Sequence, residues 1–186
     1  PGALAAIAPD EPVLIVGTGA TGIDALLDLH HRGHRAPIWM LSRRGLLPLE
    51  DTPPAAYTLQ RTIVAEQPRL LDAMRLLREE ANAAMAMGCT WQSTVDAFRA
   101  HLPRLWNGLS DADRGRFLRH LRGYWLIHRH RLAPDIAALL RELQADGRLA
   151  VVSGRLRAVR GQANDLAIDI DERVRGARRL IVARVI

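Results

Sequence analysis

The sequence has no lysine. Its 26 cations are all arginines, set against 20 carboxylates for a formal net charge of +6. The absence of lysine in a chain rich in arginine and alanine reads as GC-rich coding rather than chemistry. The charge still biases the surface toward anions such as phosphates, nucleotides and nucleic acid. Cysteine is nearly absent as well. The single Cys89 excludes an intrachain disulfide, a Cys-x-x-Cys redox centre and a cysteine-based zinc site, and a reducing cytoplasm is the expected compartment. No uncharged apolar run reaches the roughly 18 residues that a transmembrane helix needs.

What is present is ordinary globular composition. Of 186 residues, 48% are apolar and 25% charged, enough for one domain with a sizeable core and unlike a disordered, collagenous or low-complexity chain. The chain begins at Pro1 and ends at Val185-Ile186, within what reads as a strand. A piece of a larger polypeptide is therefore expected. The apolar stretch Gly2 to Ala8 has no charged leader and is followed by Asp10-Glu11-Pro12, so no secretory signal is expected.

Val13-Leu14-Ile15-Val16 is a β-branched apolar run of the kind buried on both faces in a parallel sheet. A glycine-rich turn follows at Gly17 to Gly22, then helical spacing from Ile23 to Arg32 with Gly33 as the stop, then a second apolar strand at Pro37 to Leu41. Gly45 to Pro54 reads as a loop. Helices are predicted over Pro68 to Met87, from Thr90 or Ser93 to Leu109 with a bend at Pro103, from the cap Ser110 to about His128, and from Pro134 to Asp146. The period then changes. Short strands are predicted at Leu149 to Val152, Arg155 to Arg160, Leu166 to Ile170 and Leu180 to Val185, the central pair forming an antiparallel hairpin.

Gly17-Thr18-Gly19-Ala20-Thr21-Gly22 fits G-x-G-x-x-G. Its position after a buried strand, at the opening of a helix and ahead of a second strand is the context that gives the pattern meaning. Gly17 makes the tight turn, Gly19 admits the backbone to a pyrophosphate, and Gly22 lets helix and strand pack closely. The helix N-terminus then offers free N–H groups and the positive end of its dipole to the anion. Downstream, where NAD sites carry an acid for the ribose 2′-hydroxyl, the sequence reads Leu41-Ser42-Arg43-Arg44-Gly45, with no acid before Glu50. A hydroxyl and two guanidiniums suit a 2′-phosphate, so NADPH is the expected ligand, and FAD is disfavoured at this turn. The fold expected from these elements is α/β. It is a Rossmann-like parallel sheet (unit 12–45) with a mostly helical insertion over 66–146, C-terminal strands over 148–186 and a small antiparallel hairpin, all in a single NAD(P)H-binding domain over 1–186.

The run Val13 to Gly22 and the stretch Ile38 to Pro48 resemble a bacterial family of FAD/NAD(P)-binding proteins related to flavin-dependent N-hydroxylating and Baeyer–Villiger-type monooxygenases. The stretches Arg104-Leu105-Trp106, Phe117 to Leu121 and His128 to Pro134 carry the same resemblance. In that family an NAD(P)H domain is inserted into an FAD domain with its own glycine turn. This chain has one such turn only. The resemblance therefore implies the NADPH domain alone, catalytically incomplete, with FAD in the full-length parent. The implied partners are the dinucleotide and the missing FAD domain, with no membrane.

Other residues carry less. His120, His128 and His130 with Arg129 and Arg131 are dense, but His128 and His130 cannot share a helical face and no metal site is expected. They read as cleft-shaping or interface residues, or as structural ion pairs. Trp91, Trp106, Tyr124 and Trp125 read as core or interface anchors. No serine has a nucleophile-elbow context, Cys89 reads as a small buried residue, Asp24 reads as a cap or a supporting partner near the turn, and no catalytic residue is assigned. Two rival readings remain: a non-catalytic dinucleotide-sensing module and, behind it, a nucleic-acid-binding domain built on the arginine-rich segment 114–131.

Overall fold

In the computed structural model, which describes residues 2–53, 55–61 and 67–186, the chain runs α1 (Gly2–Ala5), β1 (Val13–Val16), α2 (Ala20–His31), β2 (Ile38–Ser42), α3 (Leu70–Ala86), α4 (Trp91–Arg99), α5 (Leu102–Gly108), α6 (Asp111–Arg116), α7 (Arg122–Arg129), α8 (Pro134–Ala145), β3 (Leu149–Gln162), β4 (Asp165–Glu172), β5 (Gly176–Val182) and β6 (Arg184–Val185). It divides into two compact units, Pro1–Leu49 with Leu132–Ile186, and Glu50–Arg131.

The first unit is α/β. Its six-stranded sheet has the order β5-β4-β3-β2-β1-β6. β1 lies between β2 and β6 and is parallel to both, while β2 is parallel to the first half of β3. The chain therefore builds outward from β1 to β3 and finally returns to the other side of β1. That reversal makes the carboxyl end of β1 the topological switch point, where open α/β sheets bind ligands.

Alternation sorts the strand residues onto two faces. Val13, Ile15, Met40 and Leu149 pack with Leu26 and Leu29 of α2 and Leu140 and Leu143 of α8. Helix α8 thus belongs to the sheet as a crossover, although its sequence joins it to the predicted helical insertion. Leu14, Leu41 and Val152 point the other way and pack with Ile168, Ile170, Leu180 and Val182 of the antiparallel strands. The second face is covered by strands where a doubly wound sheet would have helices. Each such buried aliphatic side chain contributes about 1.5–3 kcal/mol. The exposed Arg160–Asp169–Arg179 ladder is screened by water and is the lesser term.

The sequence reading split β3 at Gly154, and the structure corrects this. β3 is continuous and pairs antiparallel with β4 from Gly154 to Gln162, with a bulge between Leu156 and Ala158 that bends it. Gly154 is there because a Cβ would meet the Asp171 carbonyl oxygen at 2.7 Å. The expected hairpin is β3–β4, and β5 extends it to a three-stranded meander. Ala183 alone separates β5 from β6, so one residue links opposite ends of the strand order.

His34, between α2 and β2, is buried. Burial holds its pKa below the ordinary 6.5, and a hydrogen bond with the Ala8 backbone and the charges of Asp10 and Glu11 only partly offset this. The unfolded chain therefore binds a proton more readily than the native one, and stability falls as pH drops below 6.5 toward the depressed native value. Thermal melts between pH 8 and pH 5 are expected to show a falling midpoint that His34→Leu flattens. Equal pH slopes in both proteins contradict this.

The second unit is helical. Expected breaks appear, displaced slightly. α4 ends at Arg99 and α5 begins at Leu102, with Pro103 in its first turn where a missing N–H costs nothing. The helix predicted from Ser110 to about His128 is interrupted by a π-helical turn at Phe117–Leu121. Ser110 caps it, accepting from the Asp113 N–H at 3.2 Å. Asp113 in turn accepts from the Leu70 N–H at 3.0 Å, capping α3, and this bond with the Arg116 pair holds its carboxyl below the usual range. The helix predicted over Pro68 to Met87 is α3, Leu70–Ala86, and residue 66 of the insertion predicted over 66–146 lies outside the described residues. At the unit's two ends, Arg131 pairs with Asp51 at 2.6 Å and with Asp96 at 2.7 Å.

Candidate dinucleotide site

The glycine turn sits at the carboxyl end of β1, and each glycine answers a different demand. Gly17 has φ +135°, a conformation that L side chains rarely adopt, and its N–H donates to the Leu41 carbonyl at 2.8 Å. A Cβ on Gly22 would lie 2.5 Å from the Gly17 carbonyl oxygen and 3.1 Å from the Met40 methyl, so α2 can rest on the strands only because that atom is missing. Gly19 is different. Its φ is −87°, open to any residue, and a Cβ there would meet nothing within 4 Å. Nothing in the chain's own packing requires glycine at 19.

Gly19 is the N-cap of α2 and brings no side-chain cap, and the first turn of α2 carries no acid. Gly19, Ala20 and Thr21 are exposed. The leading N–H groups of the helix and its dipole thus face solvent at the switch point. Asp24, expected as a cap, is exposed and does not cap the helix.

Thr18 is the buried member of the turn, 7% exposed. Its hydroxyl lies 2.6 Å from the Leu46 carbonyl oxygen and 3.0 Å from the Ser42 hydroxyl, and Ser42 Oγ accepts the Gly45 N–H at 3.0 Å. The structure thus brings Ser42 to the glycine turn. Arg43 is exposed and Arg44 half-buried on the loop between Ser42 and Leu46. Gly45 closes that loop at φ +60°, where a Cβ would stand 3.0 Å from Ser153 Cβ. Gly45 and Leu46 were not singled out in the sequence. The available signal was a Ser-x-x-Gly spacing, which suits a side-chain-closed turn.

The histidine and arginine cluster belongs to the second unit. His128 Nδ1 is 2.7 Å from the Tyr124 carbonyl oxygen, and its ring meets Trp91 edge-on at 5.0 Å. Trp106 is 38% exposed, with Phe117 edge-on at 5.7 Å and the Arg114 guanidinium 5.9 Å over its ring. Among the described residues no group of three His, Cys, Asp or Glu could hold a metal ion, and no helix is long and apolar enough to cross a membrane.

No protein-family model matches the chain, and no curated protein matches it by sequence. Solved structures do match. An ornithine N-hydroxylase from Kutzneria sp. 744, whose structure holds reduced FAD, NADP+ and L-ornithine, is 14% identical with a TM-score of 0.50, over 95% of this chain and 35% of that one. The L-lysine 6-monooxygenase of Pseudomonas syringae is 16% identical with a TM-score of 0.49, over 95% of this chain and 34% of that one. The lysine monooxygenase of Nocardia farcinica, described for the conformation of its NADPH domain, is 15% identical with a TM-score of 0.45, over 97% of this chain and 31% of that one. The chain spans about a third of the length of each. In fold, the chain is similar to part of the Kutzneria flavin-dependent N-hydroxylase.

Proposed function

We propose that this chain is an NADPH-binding domain of a larger FAD-dependent oxidoreductase of the N-hydroxylating monooxygenase kind. Gly19 carries the reading. It is a glycine that neither backbone strain nor packing explains, at an uncapped helix N-terminus on the switch point. A pyrophosphate approaching the backbone supplies the missing reason.

The turn from Gly17 through Thr18, Gly19, Ala20 and Thr21 to Gly22 holds the pyrophosphate through backbone N–H groups. Arg43 and Arg44, with Ser42 beside them, take the 2′-phosphate. NADPH would supply a hydride to the flavin of the parent protein, and this domain's share is to hold and orient the dinucleotide. The fold shared with the Kutzneria enzyme, and the one-third of that chain it spans, support a domain role within a longer flavoprotein. No specific observation favours nucleic acid.

Selectivity tests the reading. Calorimetric titration is expected to give tighter binding of NADPH than of NADH, by about tenfold or more, since one charge-assisted hydrogen bond is worth about 1.5–3 kcal/mol. Arg43→Ala with Arg44→Ala should abolish that preference. Equal affinity for the two dinucleotides in the unsubstituted protein contradicts the role given to the arginines.

A further inference from the structure

We propose that Thr18 and Ser42 form a hydroxyl relay that presets the Arg43-Arg44 loop, making Thr18 a positioning residue for dinucleotide selectivity. The inference rests on the NADPH reading of the site and concerns how that preference is built.

Each hydroxyl has one proton to give. Thr18 Oγ1 donates to the Leu46 carbonyl oxygen at 2.6 Å and to Ser42 Oγ at 3.0 Å, so its one proton is shared between two acceptors. Ser42 Oγ accepts in turn from the Gly45 N–H at 3.0 Å. The result is a connected network in which Thr18 Oγ1 bridges the Leu46 carbonyl and Ser42 Oγ, and Ser42 Oγ also holds the Gly45 N–H. It starts and ends on adjacent residues of one loop and passes through the glycine turn. Arg43 and Arg44 lie between its anchor points.

Two further features restrain the loop. Gly45 occupies the left-handed region at φ +60°, against Ser153. Gly17, next to Thr18, is tied to the Leu41 carbonyl next to Ser42, at 2.8 Å. Thr18 is itself buried and its hydroxyl engaged, so its side chain acts on a ligand through the loop. A preset loop spends less of its binding energy on ordering when the 2′-phosphate arrives.

The near-isosteric Thr18→Val keeps the β-branched shape and the backbone N–H while removing the relay's central oxygen. Its NADPH-to-NADH affinity ratio is expected to fall about tenfold, and Thr18→Ser, which restores the hydroxyl, is expected to recover it. Hydrogen exchange without ligand supplies the second readout. The Gly45 amide should exchange about tenfold faster in Thr18→Val and at the original rate in Thr18→Ser. An unchanged ratio, equal loss of both dinucleotides included, or a Gly45 amide that still exchanges at the original rate in Thr18→Val, overturns the relay. If the unsubstituted protein binds neither dinucleotide, the NADPH reading fails. Gly45 exchange then decides the relay by itself.

Discussion

Gly19→Val is expected to leave the protein folded and to cut NADPH affinity by about a hundredfold or more. The two halves of that result have separate causes. On the folding side, φ −87° and ψ −172° are ordinary for a β-branched residue, and a Cβ at this position meets nothing within 4 Å. The cost is that of a poorer N-cap, about 1 kcal/mol. On the binding side, the isopropyl group fills the space through which a pyrophosphate would reach the N–H groups at the start of α2. Loss of two charge-assisted hydrogen bonds of about 1.5–3 kcal/mol each exceeds a hundredfold. Near-normal melting with lost binding is the signature of a residue kept for a ligand. Gly22 gives the contrast, because there the added Cβ meets backbone at 2.5 Å and folding itself should suffer. Calorimetry and melting curves on the same preparations separate the outcomes, and full NADPH affinity in Gly19→Val contradicts the assignment.

The second large effect concerns stability. Glu80 of α3 is 1% exposed. One carboxylate oxygen accepts the Gln60 N–H at 2.7 Å and the Tyr57 hydroxyl at 3.0 Å, and the other accepts the Arg61 N–H at 3.0 Å. The Tyr57 phenol is held above its usual pKa by partial burial and by this carboxylate. A buried carboxyl needs partners, and here three donors converge on it, with the Arg61 guanidinium 3.8 Å from one of its oxygens. Glu80→Ala leaves two backbone N–H groups and a phenol without their acceptor and is expected to cost about 3–5 kcal/mol. The loss should appear in the second unit, as early exchange of amides 57–61 and of α3, while the sheet amides of the first unit retain their protection. A change below about 1 kcal/mol would show that water replaces the carboxylate freely.

The sequence made the first quarter of the chain legible because several signals agree there. Four β-branched or leucine residues, three glycines at set spacing, and a second strand at the right distance leave few alternatives for β1, the turn, α2 and β2. Even so, α2 begins at Ala20, ahead of the first apolar residue of its periodic face, because Ala20-Thr21-Gly22 carries no hydropathy signal. β3 was obscured because a glycine that permits close strand crossing looks the same, in one dimension, as a glycine that ends a strand. Nor could periodicity say that β4 and β5 pack beneath Leu14 and Leu41, since Leu166 to Ile170 show an apolar face without naming its partner.

At the site, the glycines and the arginine pair were visible as motifs, but the hydroxyl relay was not. Thr18 and Ser42 are 24 residues apart, and only the parallel register of β1 and β2 brings them together. Glu80 was hidden in Arg78-Glu79-Glu80, which reads as a solvated helical face. Its burial follows from the 57–61 segment folding over it. Arg131, grouped in the sequence with neighbouring histidines, pairs with Asp51 and Asp96, partners 80 and 35 positions away in sequence.

Crystals grown with NADP+ test whether the glycine turn at the switch point holds a pyrophosphate. Density is expected for the pyrophosphate against the N–H groups from Gly19 to Gly22, with the 2′-phosphate at the Arg43-Arg44 loop. A dinucleotide bound elsewhere, or a crevice left empty at saturating NADP+, contradicts it.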